Sequence, residues 1–409
     1  CYTAVGREGW RASGRLPGGD VFTAAALLQG LLVVLLAFVA WRMHRIQPCH
    51  RTVLNGLGGP AVTMLACALG GLMAAGAAHR VADWLDKGAT PGGPGGLLPG
   101  PPVVLLWQAA AIPPVLAVLF AAAAVAAFRY RRHRAELIAE IERSHPGEPE
   151  QPERTRQIAR ARALARLTDQ VPPVLGTAAT AAFLLGAAAV AGALAFGTIP
   201  AEAVPAPADA VARLCQAFGS WLIGGTVLVL IALGKRAYRD AGARRTVGIL
   251  WDVGTFWPRA AHPFAPPCYA ERAVPDLTWR MATWTAGGRR RLVLSGHSQG
   301  SVLAAAAVWQ LDGPTRDKVA LLTYGSPLER LYGRWFPVFF GPEALEELHG
   351  QLRAWRNLWR ETDPIGGPVR VGGGSPGQAV DTSPLPDPEA YGRTRDHPLP
   401  TPILGHSGY

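Results

Sequence analysis

Residues 291–311 read RLVLSGHSQGSVLAAAAVWQL. A short apolar run, a tight Gly-x-Ser-x-Gly turn and a stretch of small apolar residues follow one another, the order of a strand, a sharp turn and a helix. The turn pattern alone has little weight. Ten serines and 48 glycines in 409 residues produce it about 0.1 times by chance, and a second copy stands at Gly373-Gly374-Ser375-Pro376-Gly377. Setting separates the two. A serine exposed on a strained strand-to-helix turn needs a strand before it, a helix after it and small neighbours. Ser298 has RLVLS before it, VLAAAAV after it, and Gly296, Gly300 and Ser301 to let the helix start press on the strand. The helix N-terminus, and the N–H of Gln299 in particular, is expected to face the negative charge that develops on a carbonyl oxygen under attack. Ser375 lies in GPVRVGGGSPG with no helix following, and its next residue, Pro376, has no N–H to donate. Ser298 is the candidate nucleophile and Ser375 a loop serine.

A serine hydroxyl attacks only when a base takes its proton, and the base needs an orienting acid. Downstream acid candidates include Asp363, Asp381, Asp387 and Asp396. Asp363, in RETDPIGG, comes a few residues after an expected strand, where a strand-end loop carries such a group; its bland role is a turn former before Pro364. Two late histidines compete for the base. His406, in LGHSGY, has small neighbours that let a ring swing into a site, whereas His397 is wedged between Asp396 and Pro398. His406 is the candidate. His297 sits beside the nucleophile, and in a sharp turn its ring points away from Ser298, so a supporting role is expected.

Working outward, short apolar runs alternate with helical patterns from Ala237 onward, which predicts α/β layering. Expected strands are 246–251 (TVGILW), 291–295, 319–324 (VALLTY) and roughly 351–359 (QLRAWRNLW). Val274, Leu277, Met281 and Trp284 recur at helical spacing, and EALEELH (343–349) predicts another short helix. Strand, helix, strand in this order favours parallel strands with right-handed crossovers. A second oxyanion donor is expected from the loop after the first strand, WDVGTFWPR, where Gly254-Thr255 supplies a flexible backbone and a hydroxyl. Trp251, Phe256 and Trp257 either line an apolar substrate pocket or pack the domain against a membrane.

The first half of the chain is different. Hydrophobic residues make up 49% of the sequence and charged residues 17%, a balance that points to a bilayer. Five stretches of about 20 residues lack charge: 22–41, 60–78, 102–128, 173–196 and 217–234. The second and fourth are rich in Ala and Gly, suited to close helix contacts. The third carries Pro113-Pro114 and is expected to kink. Arginines crowd the 42–59 and 129–171 connections and the segment after 234, while 79–101 and 198–216 are poor in basic residues. The positive-inside rule then puts the C-terminal half in the cytoplasm, at the plasma membrane. The stub's Arg7, Arg11 and Arg15 run against that orientation, as they would if a further helix preceded Cys1. The 129–171 loop predicts two solvated Glu/Arg-rich helices around a break at 146–152.

The net charge of +11 comes from 40 basic residues, of which only Lys87, Lys235 and Lys318 are lysines. No basic strip interleaved with aromatics marks a nucleic-acid surface. Five scattered cysteines have no C-x-x-C or His/Cys ligand spacing, so neither a disulfide framework nor a metal site is expected, and no cofactor is called for.

GHSQG after an apolar strand, then LLTYGSPLERLYGRWFP, WRNLWRETDPIGG and a late HSGY, resembles lipase-like α/β hydrolases, closest to the class 3 lipase branch. The resemblance covers roughly residues 245–409 and implies Ser298 as nucleophile, Asp363 as acid, His406 as base and Thr255 at the oxyanion position beside Gln299. The first half resembles bacterial multi-pass membrane proteins. The expected architecture is a transmembrane helical region (1–235, about five spans, with the cytoplasmic helical loop 129–171), then a compact α/β-hydrolase-like domain (236–409) with a mostly parallel sheet. The expected activity is hydrolysis of an ester or thioester, of a lipid or acyl substrate, through an acyl-enzyme. Acyl transfer would use the same residues. A catalytically silent scaffold or sensor is the competing reading.

Overall fold

A computed structural model of the chain describes residues 19–46, 52–85, 103–144, 152–244, 248, 268–287, 290–373, 379–385 and 403–409. Most of the described chain is helical, and it falls into two compact units that do not follow chain order. The first comprises Cys1–His50, Leu54–Ala124 and Pro172–Arg244; the second comprises Arg51–Val53, Val125–Val171 and Arg245–Tyr409.

In the first unit the long helices are α1 (Gly19–Ile46), α2 (Gly58–Leu85), the leading part of α3 (Val103–Ser144), α5 (Val171–Phe196) and α6 (Ala208–Arg239). Among the described residues three stretches are long and apolar enough to cross a membrane: Leu106–Arg143, Glu153–Phe196 and Ala208–Arg239. They cover the third, fourth and fifth expected spans and mark the chain as membrane-associated. The first two expected spans fall on α1 and α2. Phe120, Leu194 and Trp221 are each at least 73% exposed, an arrangement water disfavours and hydrocarbon does not. α3 runs on through Pro113 and Pro114.

Close helix contacts occur where α5 and α6 lack a side chain. A Cβ on Gly176 would lie 2.9 Å from a Leu54 methyl, one on Gly192 would enter the Trp107 ring, and one on Gly219 would strike the Ala109 carbonyl. Trp107 is fixed in turn, donating Nε1–H to the Thr198 carbonyl at 2.9 Å. The fourth span thus uses its small residues for packing, as small-residue helix interfaces do. The second differs: a Cβ on Gly70 or Gly71 would meet nothing within 4 Å.

The second unit is built on three parallel strands, β1 (Leu292–His297), β2 (Val319–Tyr324) and β3 (Ala354–Leu358), in the order β1-β2-β3. These are the expected second, third and fourth strands. The expected first strand, 246–251, lies outside the described residues except Gly248, which is helical rather than extended. Helix α7 (Ala270–Thr285) buries Val274 and Met281, with Leu277 against the core, but leaves Trp284 exposed. Helix α8 (Gln299–Trp309) follows β1 and buries Ser301, Val302 and Ala304 to Val308. Its alanines allow a helix to be buried almost all round: the strands lie against one side and α7 against another, where Thr278 Oγ1 donates to the Ala307 carbonyl at 3.1 Å. Helix α9 (Pro342–Gly350) buries Leu345 and Leu348, each worth about 1.5–3 kcal/mol.

The 129–171 loop departs from expectation. Helix α4 (Pro152–Leu167) and the tail of α3 are not solvated all round. Leu137 and Ile141 of α3 and Ile158, Ala159 and Ala163 of α4 form a second buried cluster, with Tyr130, Ile138 and Ile403 packed on it. The spacings 137/141 and 159/163 put each set on one helix face. Arg154, Arg156, Arg160, Arg162 and Arg166, interleaved with it, hid that stripe. The loop, counted with residues 1–235 on sequence, packs as part of the unit that holds 245–409.

Candidate active site

Ser298 stands between β1 and α8 with φ 55° and ψ −129°. A non-glycine residue held at positive φ costs about 1–3 kcal/mol, so the surroundings must impose it. They do so at three points. The Ser298 N–H donates to the Tyr324 carbonyl at the end of β2 (3.1 Å). Its carbonyl accepts from the Ser301 hydroxyl (2.6 Å) and the Ser301 N–H (2.9 Å). Ser301 Oγ also lies 2.8 Å from Ser326 Oγ, and both residues are buried. Gly296 makes the close approach possible, because a Cβ there would lie 2.6 Å from the Gly300 carbonyl oxygen and 2.7 Å from the Ser301 Cα. Gly300 does not share that role, since a Cβ on it would meet nothing within 4 Å. Gln299 opens α8, so its backbone N–H has no partner within the helix and is free to face an incoming oxygen.

From Ser298 Oγ the next atom is His406 Nε2, 2.7 Å away, and His406 Nδ1 lies 3.0 Å from both carboxylate oxygens of Asp363. The residues come from three places: the turn after β1, the loop after β3 and the 403–409 segment. With Nδ1–H donated to the carboxylate, Nε2 is the acceptor that the serine hydroxyl needs. Asp363 is wholly buried. Its Oδ1 accepts the backbone N–H groups of Ile365 and Gly366, each at 2.8 Å, and its Oδ2 accepts the Tyr409 hydroxyl at 2.7 Å. Burial opposes ionisation of this carboxyl. The donors His406, Gly366, Ile365 and Tyr409 outweigh it and hold the group below its ordinary range. Burial, and then the neighbouring carboxylate, push the Tyr409 phenol upward, so it remains a hydrogen-bond donor.

His297 does what its position predicts. Its ring stacks on Tyr324, and its Nε2 lies 2.7 Å from the His406 carbonyl, which ties the base's own backbone to the turn. The terminal segment is held further by Thr362 Oγ1 donating to the Leu404 carbonyl (2.6 Å) and Arg360 Nε donating to the Gly408 carbonyl (2.8 Å). Asp381, a lesser candidate acid, is engaged elsewhere: it accepts Asn357 Nδ2 (2.7 Å) and the N–H groups of Val369 (2.8 Å) and Arg370 (2.7 Å). It braces the stretch that follows the acid loop.

Thr255, the expected second oxyanion donor, and Trp251, Phe256 and Trp257, the expected pocket residues, lie outside the described residues, as do Ser375, Asp387, Asp396 and His397. Among the described residues no cluster of three His, Cys, Asp or Glu side chains could hold a metal ion. Sequence reasoning missed Tyr409, whose only signal is its place three residues after His406. It also missed Arg330, whose guanidinium donates to the carbonyls of Asp363 (2.9 Å) and Gly366 (3.3 Å). Compared with protein-family models, curated proteins and solved structures, the chain matches none of them.

Proposed function

We propose that this chain is a membrane-anchored serine hydrolase that cleaves an ester or thioester. The hydrogen-bonded series Ser298–His406–Asp363, at 2.7 and 3.0 Å, carries the reading. A silent scaffold expects those distances to exceed hydrogen-bonding range.

In the proposed reaction His406 Nε2 takes the Ser298 proton as Oγ bonds to the substrate's carbonyl carbon. Asp363 steadies the imidazolium by charge and holds its tautomer. The Gln299 N–H, with Thr255 as second donor, stabilises the oxyanion, each such donor being worth about 3–4 kcal/mol. His406 then protonates the leaving alkoxide or thiolate, and an acyl-serine remains. Water attacks that ester with its proton passing to His406; the acyl carbon–Oγ bond then breaks, His406 gives the proton to Ser298 Oγ, and the acid is released. Attachment to a bilayer favours a lipid or long-chain acyl substrate, with Trp251, Phe256 and Trp257 lining its pocket. All five apolar stretches are proposed to span the bilayer, with this site in the cytoplasm.

The test is covalent labelling by a fluorophosphonate probe in membranes containing the full chain. Labelling is expected in the wild type and is lost in Ser298→Ala and His406→Ala. A folded wild type that does not label, or labelling that survives Ser298→Ala, refutes the reading.

A further inference from the structure

The loop that carries Asp363 is latched to the chain immediately ahead of an apolar membrane-length helix. The α4 helix ends at Leu167, a 3-10 turn covers Thr168–Gln170, and α5 begins at Val171. Thr168 Oγ1 donates to the Pro364 carbonyl at 2.8 Å. Arg330 bridges both sides. Its Nη1 donates to the Asp363 and Gly366 carbonyls, while its Nη2 donates to the Ala165 carbonyl at 2.6 Å and pairs with Asp169 Oδ2 at 3.0 Å. Arg162 of α4 pairs with Glu361 at 2.8 Å, and Arg334 adds a second cation to Asp169 at 3.4 Å. The Arg330 side chain is only 14% exposed, so its charge-assisted bonds to the Ala165, Asp363 and Gly366 carbonyls lie partly out of water, where they hold geometry best, while Asp169, 44% exposed, meets it from the solvent side.

We infer that Thr168, Asp169 and Arg330 are positioning residues for the acid loop, so that the juxtamembrane turn is a working part of the active site. The inference rests on the hydrolase reading above. Asp363 needs its Oδ1 under two successive N–H groups, those of Ile365 and Gly366, and these come from the same four-residue turn that Thr168 and Arg330 grip by its carbonyls. Oδ1 and Oδ2 must also stay within 3.0 Å of His406. A displacement of about 1 Å at such a site costs on the order of a hundredfold in rate. The catalytic unit therefore depends on 165–169 for its chemistry as well as its stability.

The experiment uses the full chain in its membrane and the double variant Thr168→Val/Asp169→Ala, which leaves Ser298, His406, Asp363 and Arg330 in place. Two quantities are read: the rate of fluorophosphonate labelling, and amide hydrogen exchange over 360–367 with 302–308 of α8 as an internal reference. The expected result is labelling slowed about tenfold or more, faster exchange at Ile365 and Gly366, and unchanged protection in α8. The conservative pair Thr168→Ser and Asp169→Glu should restore most of the rate. Unchanged exchange over 360–367 overturns the latch. Faster exchange with labelling at the wild-type rate overturns the positioning role. A wild type that keeps 360–367 protected yet does not label refutes the hydrolase reading, and the inference that rests on it.

Discussion

Replacing Tyr409 by Phe removes one oxygen and isolates one hydrogen bond. The ring keeps its neighbours: Arg360 lies 5.7 Å from its centroid, and His297 and Tyr324 lie at 5.8 and 6.0 Å. Asp363 Oδ2 loses its own donor and is left sharing His406 with Oδ1. Because the Asp363 side chain has no exposure, no water replaces the hydroxyl, and the loss is that of a bond to a buried charge, about 1.5–3 kcal/mol. Part appears as lowered stability. The rest appears when His406 becomes an imidazolium and leans on the carboxylate, so labelling at neutral pH should fall about tenfold, the equivalent of about 1.4 kcal/mol. The pH dependence has a sign. Asp363 titrates below its ordinary value of 3.8, so its contribution is present above that value and fades as pH falls through the lowered one. Phe at 409 removes one of the donors that lower it while leaving the burial that raises it. The folded carboxyl moves up, its stabilising contribution shrinks, and the melting temperature begins to fall at a higher pH on the acid side. Labelling rates of Tyr409→Phe within twofold of wild type, with an unmoved acid limb of the melting temperature, would refute this account of the donor's role.

Ser298→Gly should abolish labelling while raising the melting temperature. It releases a non-glycine residue from φ 55°, a strain of about 1–3 kcal/mol; a lower melting temperature would contradict the strained turn. Gly296→Ala should be destabilised by about 1–3 kcal/mol, because its Cβ meets the Gly300 backbone at 2.6 Å. Gly300→Ala should fold as well as wild type or gain up to about 1 kcal/mol of helix propensity. Equal thermal shifts for the two alanines would overturn the distinction between them.

The triad residues were legible because each left a local trace. Ser298 lay between a strand pattern and a run of alanines that only a buried helix could use. Asp363 came a few residues after a strand, and His406 stood among residues too small to hinder a ring. Strand boundaries drifted where hydrophobicity extended past the ladder: the stretch expected at 351–359 pairs only over Ala354–Leu358. The role of Gly300 was misjudged because a glycine's letter does not say what stands opposite it. The latch was illegible for another reason. Thr168 grips a backbone carbonyl 196 residues away and Arg330 another 165 away, and carbonyls leave no trace in a sequence. The buried face of α4 was concealed by the arginines interleaved with it, one of which, Arg154, is itself buried.

The second unit is assembled from pieces separated by the whole of 172–244, which belongs to the other unit. During synthesis the tail of α3 and then α4 emerge early, with Leu137, Ile141, Ile158, Ala159 and Ala163 lacking the late residue, Ile403, that packs on their cluster. Two membrane-length helices then follow before the ribosome reaches Ser298, and His406 comes later still. The loop of Asp363 cannot dock on Ala165–Asp169 until the whole of 172–244 has been synthesised, because that stretch lies between the two pieces in the chain. A chain interrupted within 172–244 therefore holds only the early pieces of the second unit, without Ser298, Asp363 or His406.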